Sequence, residues 1–482
     1  MKCKIISITI LLFLASCKNY QDKKNIEEFI KKVETHLSPA VRIDGESEIR
    51  YAIDERMRFY NVPGLSMAVI SNGMLQWAKG YGFTSIDSTR IIDQNTLFQA
   101  ASISKPVTAM AALYLVQEGK ISLDTDVNNY LKGWKIVENQ FTKDEKVTVR
   151  RLLSHSAGIN VEGFRGYIVG EKIPDIIQIL NGDSPANSDP IMPDTIPGKI
   201  YRYSGGGYTI IQKLISDVSE VPFEEFMQQT VLSKLRMNHS TFCQPLPEKY
   251  HENACIGYER LYSPVEGNWH TYPEMAAAGL WTTPTDLANF VIEVQRSLKG
   301  LSNRLLSQEF AELMVAREIE DQGLGFEIHG ENDSLRFGHG GFNAGFTCQL
   351  IAFVHLGQGA VIMTNSESGW DLIGEILRSI SETYGWNVYT PIVKKIVQLD
   401  SQKLKMFAGK YESNDGLLIE IWPDGNALLV KQYWNGVEYN IYPESDLIFF
   451  EKEGALSFIF KESHDETIQS FIVKDLIFKK KI

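Results

Sequence analysis

The sequence is poor in cysteine. Five cysteines occur in 482 residues, and the three beyond the N-terminal segment, Cys243, Cys255 and Cys348, form no C-x-x-C pair. That excludes a disulfide framework and a cysteine zinc site. It leaves open one Cys243–Cys255 bridge or three free thiols. Basic charge is also short: 48 Lys and Arg face 60 Asp and Glu, a net charge of −12. Nucleic acid is therefore not expected as a partner, because phosphate binding needs clustered cations. There is no low-complexity tract, no G-x-S-x-G, no H-E-x-x-H and no G-x-x-x-x-G-K-[ST]. These absences remove the nucleophile elbow, the zinc peptidase and the phosphate loop, and no cofactor or metal is expected.

The apolar run Ile5–Leu14, preceded by Lys2 and Lys4, is too short to span a bilayer as a helix and has the shape of a signal peptide. Leu14-Ala15-Ser16-Cys17 resembles a bacterial lipobox. The resemblance implies cleavage before Cys17, lipid on its sulfur, and an exported protein anchored in the bacterial cell envelope. Removal of Lys2 and Lys4 takes the net charge from −12 to −14.

What remains is ordinary globular sequence, 44% hydrophobic and 22% charged, long enough for two or three domains. A polar tether and a helix bearing Ile26, Phe29, Ile30, Val33 and Leu37 occupy residues 18–40. Leu65–Ile70 and Met74–Gly80 flank Ser71-Asn72-Gly73, a hairpin signal. Helical periods dominate residues 107–300, interrupted by a proline-laden loop from Ser184 to Gly198. Strand character returns at Phe346–Val354 and Gly359–Thr364, and Leu372–Tyr384 is helical in period. Strands at both ends with helices between predict an α+β domain over 41–385, one antiparallel sheet with an inserted helical subdomain. After a linker at 386–400, turn signals every ten residues or so predict a small all-β barrel-like domain over 401–482. Its aromatics Trp422, Tyr433, Trp434 and Tyr439 are expected in its core.

Chemistry concentrates at Gln99–Met110. Ser102 and Lys105 lie three residues apart, hence one turn apart on one face of a helix. Pro106 is tolerated only if the helix starts just before it, which puts Ser102 at or beside the first turn, where free amides favour developing negative charge. A hydroxyl is a weak nucleophile alone, and a neutral amine one turn away can take its proton.

Two further motifs follow in order: Tyr201-Arg202-Tyr203-Ser204-Gly205 after the proline loop, and Gly338-His339-Gly340-Gly341-Phe342 before a strand. Ser-x-x-Lys, then Tyr-Ser-x, then His-x-Gly resembles the serine β-lactamase-type acyl-enzyme family, in the branch of class C β-lactamases, D,D-peptidases and esterases. Val62–Leu65, Leu153–Gly158 and Ala278–Pro284 support the resemblance, which covers roughly residues 40–385. It implies that Ser102 is acylated by a small-molecule or short-peptide substrate and that Lys105 and Tyr203 move the protons. It implies an oxyanion hole from the N–H groups of Ser102 and Phe342. His339, where many relatives carry Lys, would meet a substrate carboxylate or tune the pair, and Gly340 and Gly341 would let substrate approach the strand. Relatives usually carry Asn where Gly205 stands, so an amide contact to a substrate's acylamino group is missing. The implied function is ester or amide hydrolysis, with esters favoured over β-lactams. The alternatives are an acylated penicillin-binding or sensor protein, and a D,D-peptidase or D-aminopeptidase.

Overall fold

The computed structural model describes residues 24–463 and 467–481. The leader and Cys17 expected from the sequence lie outside the described residues. The chain divides into two compact units: Met57–Ile373, and the residues up to Arg56 together with those from Gly374 onward.

The Met57–Ile373 unit is built on a six-stranded antiparallel sheet. Its strands are β1 (Gly64–Ser71), β2 (Met74–Gly82), β3 (Glu327–His329), β4 (Arg336–Asn343), β5 (Phe346–Phe353) and β6 (Gly359–Thr364), in the spatial order β2-β1-β6-β5-β4-β3. Both ends of the unit's sequence thus contribute strands, as the sequence predicts. The β1–β2 hairpin turns at Asn72 and Gly73, both with positive φ (54° and 68°), the backbone that a tight two-residue turn demands. Between β2 and β3 lie helices α1 (Ser104–Gln117), α2 (Gly205–Ser219) and α3 (Pro284–Leu298). Ser104–Leu113 are all buried, so α1 is a central helix enclosed on every side. That enclosure matters for Lys105. The last helix, expected at Leu372–Tyr384, runs Gly369–Tyr384.

The other unit holds a closed barrel of eight antiparallel strands between Gly409 and Lys480, matching the expected all-β domain. Alternating residues, among them Ile419, Ile421, Leu428, Val430, Phe449, Phe458, Phe460 and Phe471, fill it, and Leu404 and Phe407 from the short helix Ser401–Met406 and its C-terminal end join them. The aromatics expected in this core divide: Tyr439 packs against it, whereas Tyr433 and Trp434 sit on the outside at 45% and 42% exposure, since they occupy a hairpin turn. The segment 386–400, expected as a linker, is tied down by a short strand. Ile392–Lys394 pairs in parallel with Val41–Ile43. In the same unit Arg56 grips Glu375 through buried hydrogen bonds, among them Nε to Oε2 at 2.8 Å and Nη2 to Oε1 at 2.6 Å.

Candidate active site

The chain reaches Ser102 through a short ladder of Phe98–Gln99 with Trp281–Thr282. A single 3₁₀ turn, Ala101–Ile103, precedes α1 and carries Ser102. Ala101, fully buried, is held at φ +48°, a region an L-residue occupies only when its surroundings impose it. The surroundings are evident: Ala100 N–H donates to the Leu280 carbonyl (2.8 Å), and Ser104 Oγ donates to the Ala101 carbonyl (2.6 Å). The turn is clamped, and Ser102 faces a cleft of about 500 Å³.

Two side chains converge on Ser102 Oγ. Lys105 Nζ lies 2.9 Å from it and donates a second bond to the Ala277 carbonyl at 2.9 Å. Tyr203 OH donates to the same Oγ at 2.8 Å. Burial in α1 penalises the ammonium and pushes the Lys105 pKa down to about 7, so near neutral pH much of it is free amine. Burial acts oppositely on a phenol and holds Tyr203 well above the usual tyrosine range, hence protonated. A free amine and an intact phenol on one hydroxyl can take and return a proton.

Tyr203 is delivered by the proline-rich loop, which pairs with residues 156–160: Gly198 N–H donates to the Ser156 carbonyl and Asn160 N–H to that of Met192. His155 completes the fixation. Its carbonyl accepts from Arg202 N–H at 2.7 Å, and its Nδ1 accepts from Ser204 N–H at 3.0 Å. As an acceptor at Nδ1 the ring is neutral, and burial, with Lys105 and His339 nearby, keeps its pKa well below the usual histidine value. His155 is thus the structural hydrogen-bonder its surroundings require.

The family model for Beta-lactamase matches residues 49–377. The chain belongs to the Beta-lactamase family. A Beta-lactamase of Pseudomonas fluorescens is 29% identical over 290 residues, 59% of this chain and 75% of that protein. Protein flp of Staphylococcus aureus (strain N315) is 27% identical over 246 residues, 50% of this chain; the match covers 46% of that protein, so the chain spans about half the length of such curated relatives. Among solved structures, the octameric penicillin-binding protein homologue from Pyrococcus abyssi shares the fold with TM-score 0.62 at 22% identity, covering 89% of this chain and 98% of that one. SurE with D-Leu gives 0.53 at 19%, with 89% and 97% covered.

Within this Beta-lactamase fold the third motif runs from buried His339 to Phe342 on the cleft wall. Phe342 lines the cleft beside Ser102 and is half exposed. Gly340 and Gly341 make room for the protein's own atoms. A Cβ on Gly341 would lie 2.4 Å from the Ala100 carbonyl and from Cys348 Sγ, and one on Gly340 would lie 2.9 Å from Trp370. His339 is 2% exposed, donates from Nδ1 to the Gly340 carbonyl at 2.5 Å, and is held neutral by burial. It is therefore not presented to a substrate carboxylate; its ring centroid lies 6.1 Å from that of Tyr203. Gly205 lines the cleft at the start of α2, its N–H bonded to the Glu162 carbonyl at 2.8 Å. A Cβ there would meet that carbonyl and the Phe164 ring, each at 3.0 Å.

Sequence reasoning missed the Glu162–Arg165 wall of the cleft, because no residue pattern marks it. It also missed the Ala277 carbonyl, a backbone acceptor that residue type does not reveal. Asn343, quoted only as part of a motif, donates to Gln99 Oε1 (2.7 Å) and so ties β4 to the segment before Ser102. Cys243, Cys255 and Cys348 are free thiols, which closes the disulfide alternative.

Proposed function

We propose that the protein is a serine hydrolase that cleaves an ester or activated amide through a covalent acyl-Ser102 intermediate. The observation that carries this is the convergence of Lys105 Nζ and Tyr203 OH on Ser102 Oγ, at 2.9 and 2.8 Å, on the floor of a cleft. Lys105 as free amine takes the hydroxyl proton while Oγ attacks the carbonyl carbon. The oxyanion is held by the N–H groups of Ser102 and Phe342. As the tetrahedral adduct collapses, Tyr203 gives its proton to the leaving group and regains one from the Lys105 ammonium. Water then enters and attacks the acyl carbon as it loses a proton to the same pair, and the pair returns that proton to Oγ as the bond to Ser102 breaks and the acid leaves. His339 acts at a distance, as a neutral ring that leaves Lys105 free to stay unprotonated.

Esters are the favoured substrates. An alkoxide leaves with less protonation help than an amine, and the wall at Gly205 offers no side-chain amide to align an acylamino group. A lost hydrogen bond of that kind weakens transition-state binding by about 1–3 kcal/mol. The protein is further proposed to be exported and lipid-anchored in the bacterial cell envelope through Cys17. Among the described residues no helix is long and apolar enough to cross a membrane. Fractionation of Cys17→Ser tests the anchor: the variant should move to the soluble fraction with its activity retained, and continued membrane association would refute lipidation at Cys17. The hydrolase reading is tested by kcat/KM for phenyl butanoate, penicillin and a D-Ala-D-Ala peptide. The ester should be the best substrate, and a cephalosporin or penicillin hydrolysed as fast would make β-lactamase the better name.

A further inference from the structure

The outer face of the barrel carries a pattern that hydrolysis does not use. Neighbouring strands form it: β7 (Ser457–Glu462), β8 (Ile468–Val473) and β9 (Leu476–Lys480). Phe458, Phe460, Phe471 and Phe478 point inward and belong to the barrel core. The residues alternating with them point outward, and the register sets them in rows. Ile459 stands opposite Ile472, and Ile472 opposite Ile477, so one row across these strands is isoleucine throughout. Ile459 and Ile477 are 43% and 45% exposed, and Ile472 is half-buried between them. The row is about 10 Å wide, from the spacing of adjacent strands. The next row runs Lys461, Ser470, Lys479. Both lysines are exposed, and neither has a salt bridge among the described residues. Lys474, in the turn at the other end of β8, is exposed as well. The nearby carboxylates are Glu462, Asp475 and Glu412, and Glu412, opposite Lys479, is already held by Lys481 at 2.9 Å. On a chain of net charge −12, this face leans positive beside an uncovered apolar row.

The N-terminal residues belong to the same unit. Lys24, the first described residue, lies seven positions after Cys17, a reach of at most about 25 Å. The chain then meets the barrel beside the isoleucine row. Val41 N–H donates to the Lys452 carbonyl, and Val41 and Ile43 pack on Phe450, which pairs with Ser457 at the start of β7. We infer that this face rests on an anionic phospholipid bilayer, with Ile459, Ile472 and Ile477 at the boundary of headgroups and acyl chains and Lys461 and Lys479 on the phosphates. The choice of a bilayer rests on the lipid anchor proposed at Cys17, which keeps one within reach. The face orients the protein; it does not hold it. A contact of this size is reversible, because stable attachment takes a second signal. Cys17→Ser is therefore still expected in the soluble fraction.

The test uses the chain from Cys17 onward, made without its leader and so without lipid. It is sedimented with vesicles of phosphatidylethanolamine and phosphatidylglycerol, and separately with vesicles of phosphatidylcholine. Partition onto the phosphatidylglycerol vesicles should be greater on the order of tenfold. The excess should shrink as ionic strength rises from about 0.02 to 0.5 M. Lys461→Gln and Lys479→Gln should each lower partition about fivefold. Ile459→Asp combined with Ile477→Asp should lower it about tenfold or more. Hydrolysis at Ser102 should be unchanged in all of these variants. Equal partition onto both kinds of vesicle, or partition untouched by the two aspartates, overturns the inference. Dimers that dissociate on Ile459→Asp would assign the face to a second copy of the chain and overturn it too. The anchor is judged separately. If the lipidated protein stays with membranes while the unlipidated chain ignores vesicles, only this face falls; if Cys17→Ser stays with membranes while vesicle binding stands, only the anchor falls. The lipid and salt dependences need no variant, so they decide the matter even if a substituted barrel folds poorly.

Discussion

His155 holds both peptide neighbours of Tyr203: the Arg202 N–H on its carbonyl (2.7 Å), the Ser204 N–H on its ring Nδ1 (3.0 Å). The two rings also stack at a tilt, centroids 4.4 Å apart, and His155 itself sits at φ +56°, so the loop is wound to bring the imidazole there. His155 touches no reacting atom; it positions one that does. His155→Leu is expected to lower kcat about 10- to 100-fold with a smaller change in KM, since displacing a proton donor by an ångström costs that order. It should also lower stability by about 1–3 kcal/mol through the orphaned Ser204 N–H. His155→Asn, which tolerates positive φ and keeps an acceptor, should recover part of the rate. Equal losses of kcat in the two variants would show that the ring acts only as filler.

Lys105 makes the reaction pH-dependent. Its pKa is lowered to about 7 by burial, and the reactive form is the free amine. kcat/KM should therefore rise with pH through about 7 and level off above it, while protonation switches activity off below. Lys105→Ala should cost two or more powers of ten. A profile flat from pH 5.5 to 8.5, or one rising only near pH 10, would remove Lys105 as the base.

Gly205 is tight against its neighbours without a strained backbone: a Cβ would stand 3.0 Å from the Glu162 carbonyl and from Phe164. Gly205→Asn should thus push the Glu162–Arg165 wall outward, costing about 1–3 kcal/mol as overpacking does. Calorimetry should record a melting temperature lower by several degrees. The ester-to-penicillin ratio should narrow, since the amide is restored as the wall retreats. An unchanged ratio would mean that the missing Asn does not set the preference.

The Arg56–Glu375 pair predicts an asymmetry of stability. Both groups are almost fully buried, with side-chain exposures of 4% and 0%. Glu375→Gln or Arg56→Met breaks a buried pair from one side and should destabilise by about 3–5 kcal/mol, less in Glu375→Gln to the extent that Glu453, 3.7 Å from Arg56, still faces the guanidinium. The joint Arg56→Met, Glu375→Met change should cost much less than the sum of the two single ones. Additive losses in denaturant unfolding would contradict a coupled buried pair.

Where local chemistry decides, sequence and structure agree. Asn72-Gly73 demanded a tight turn, Pro106 demanded a helix start, and Ser102 and Lys105 share a face because three residues make nearly one turn. Turn signals every ten residues or so beyond residue 400 foretold the small all-β domain that closes as a barrel. What stayed hidden depends on contacts distant in sequence. The lowered Lys105 pKa needs α1 enclosed on every side, which contacts distant in sequence provide. Gly340 and Gly341 looked like room for a ligand until Ala100, Cys348 and Trp370 were seen to fill it. Glu162 and Arg165 belong to no pattern; only the fold over Gly205 brings them to the cleft.

The most direct measurement is intact-protein and peptide mass spectrometry after brief exposure to a panel of esters, D-amino-acid peptides and β-lactams. The expected result is a single acyl adduct on the peptide containing Ser102, formed fastest from an ester, absent in Ser102→Ala, and much slower to form in Lys105→Ala. Labelling that persists unchanged in Ser102→Ala, or that maps to another residue, would contradict the acyl-Ser102 mechanism.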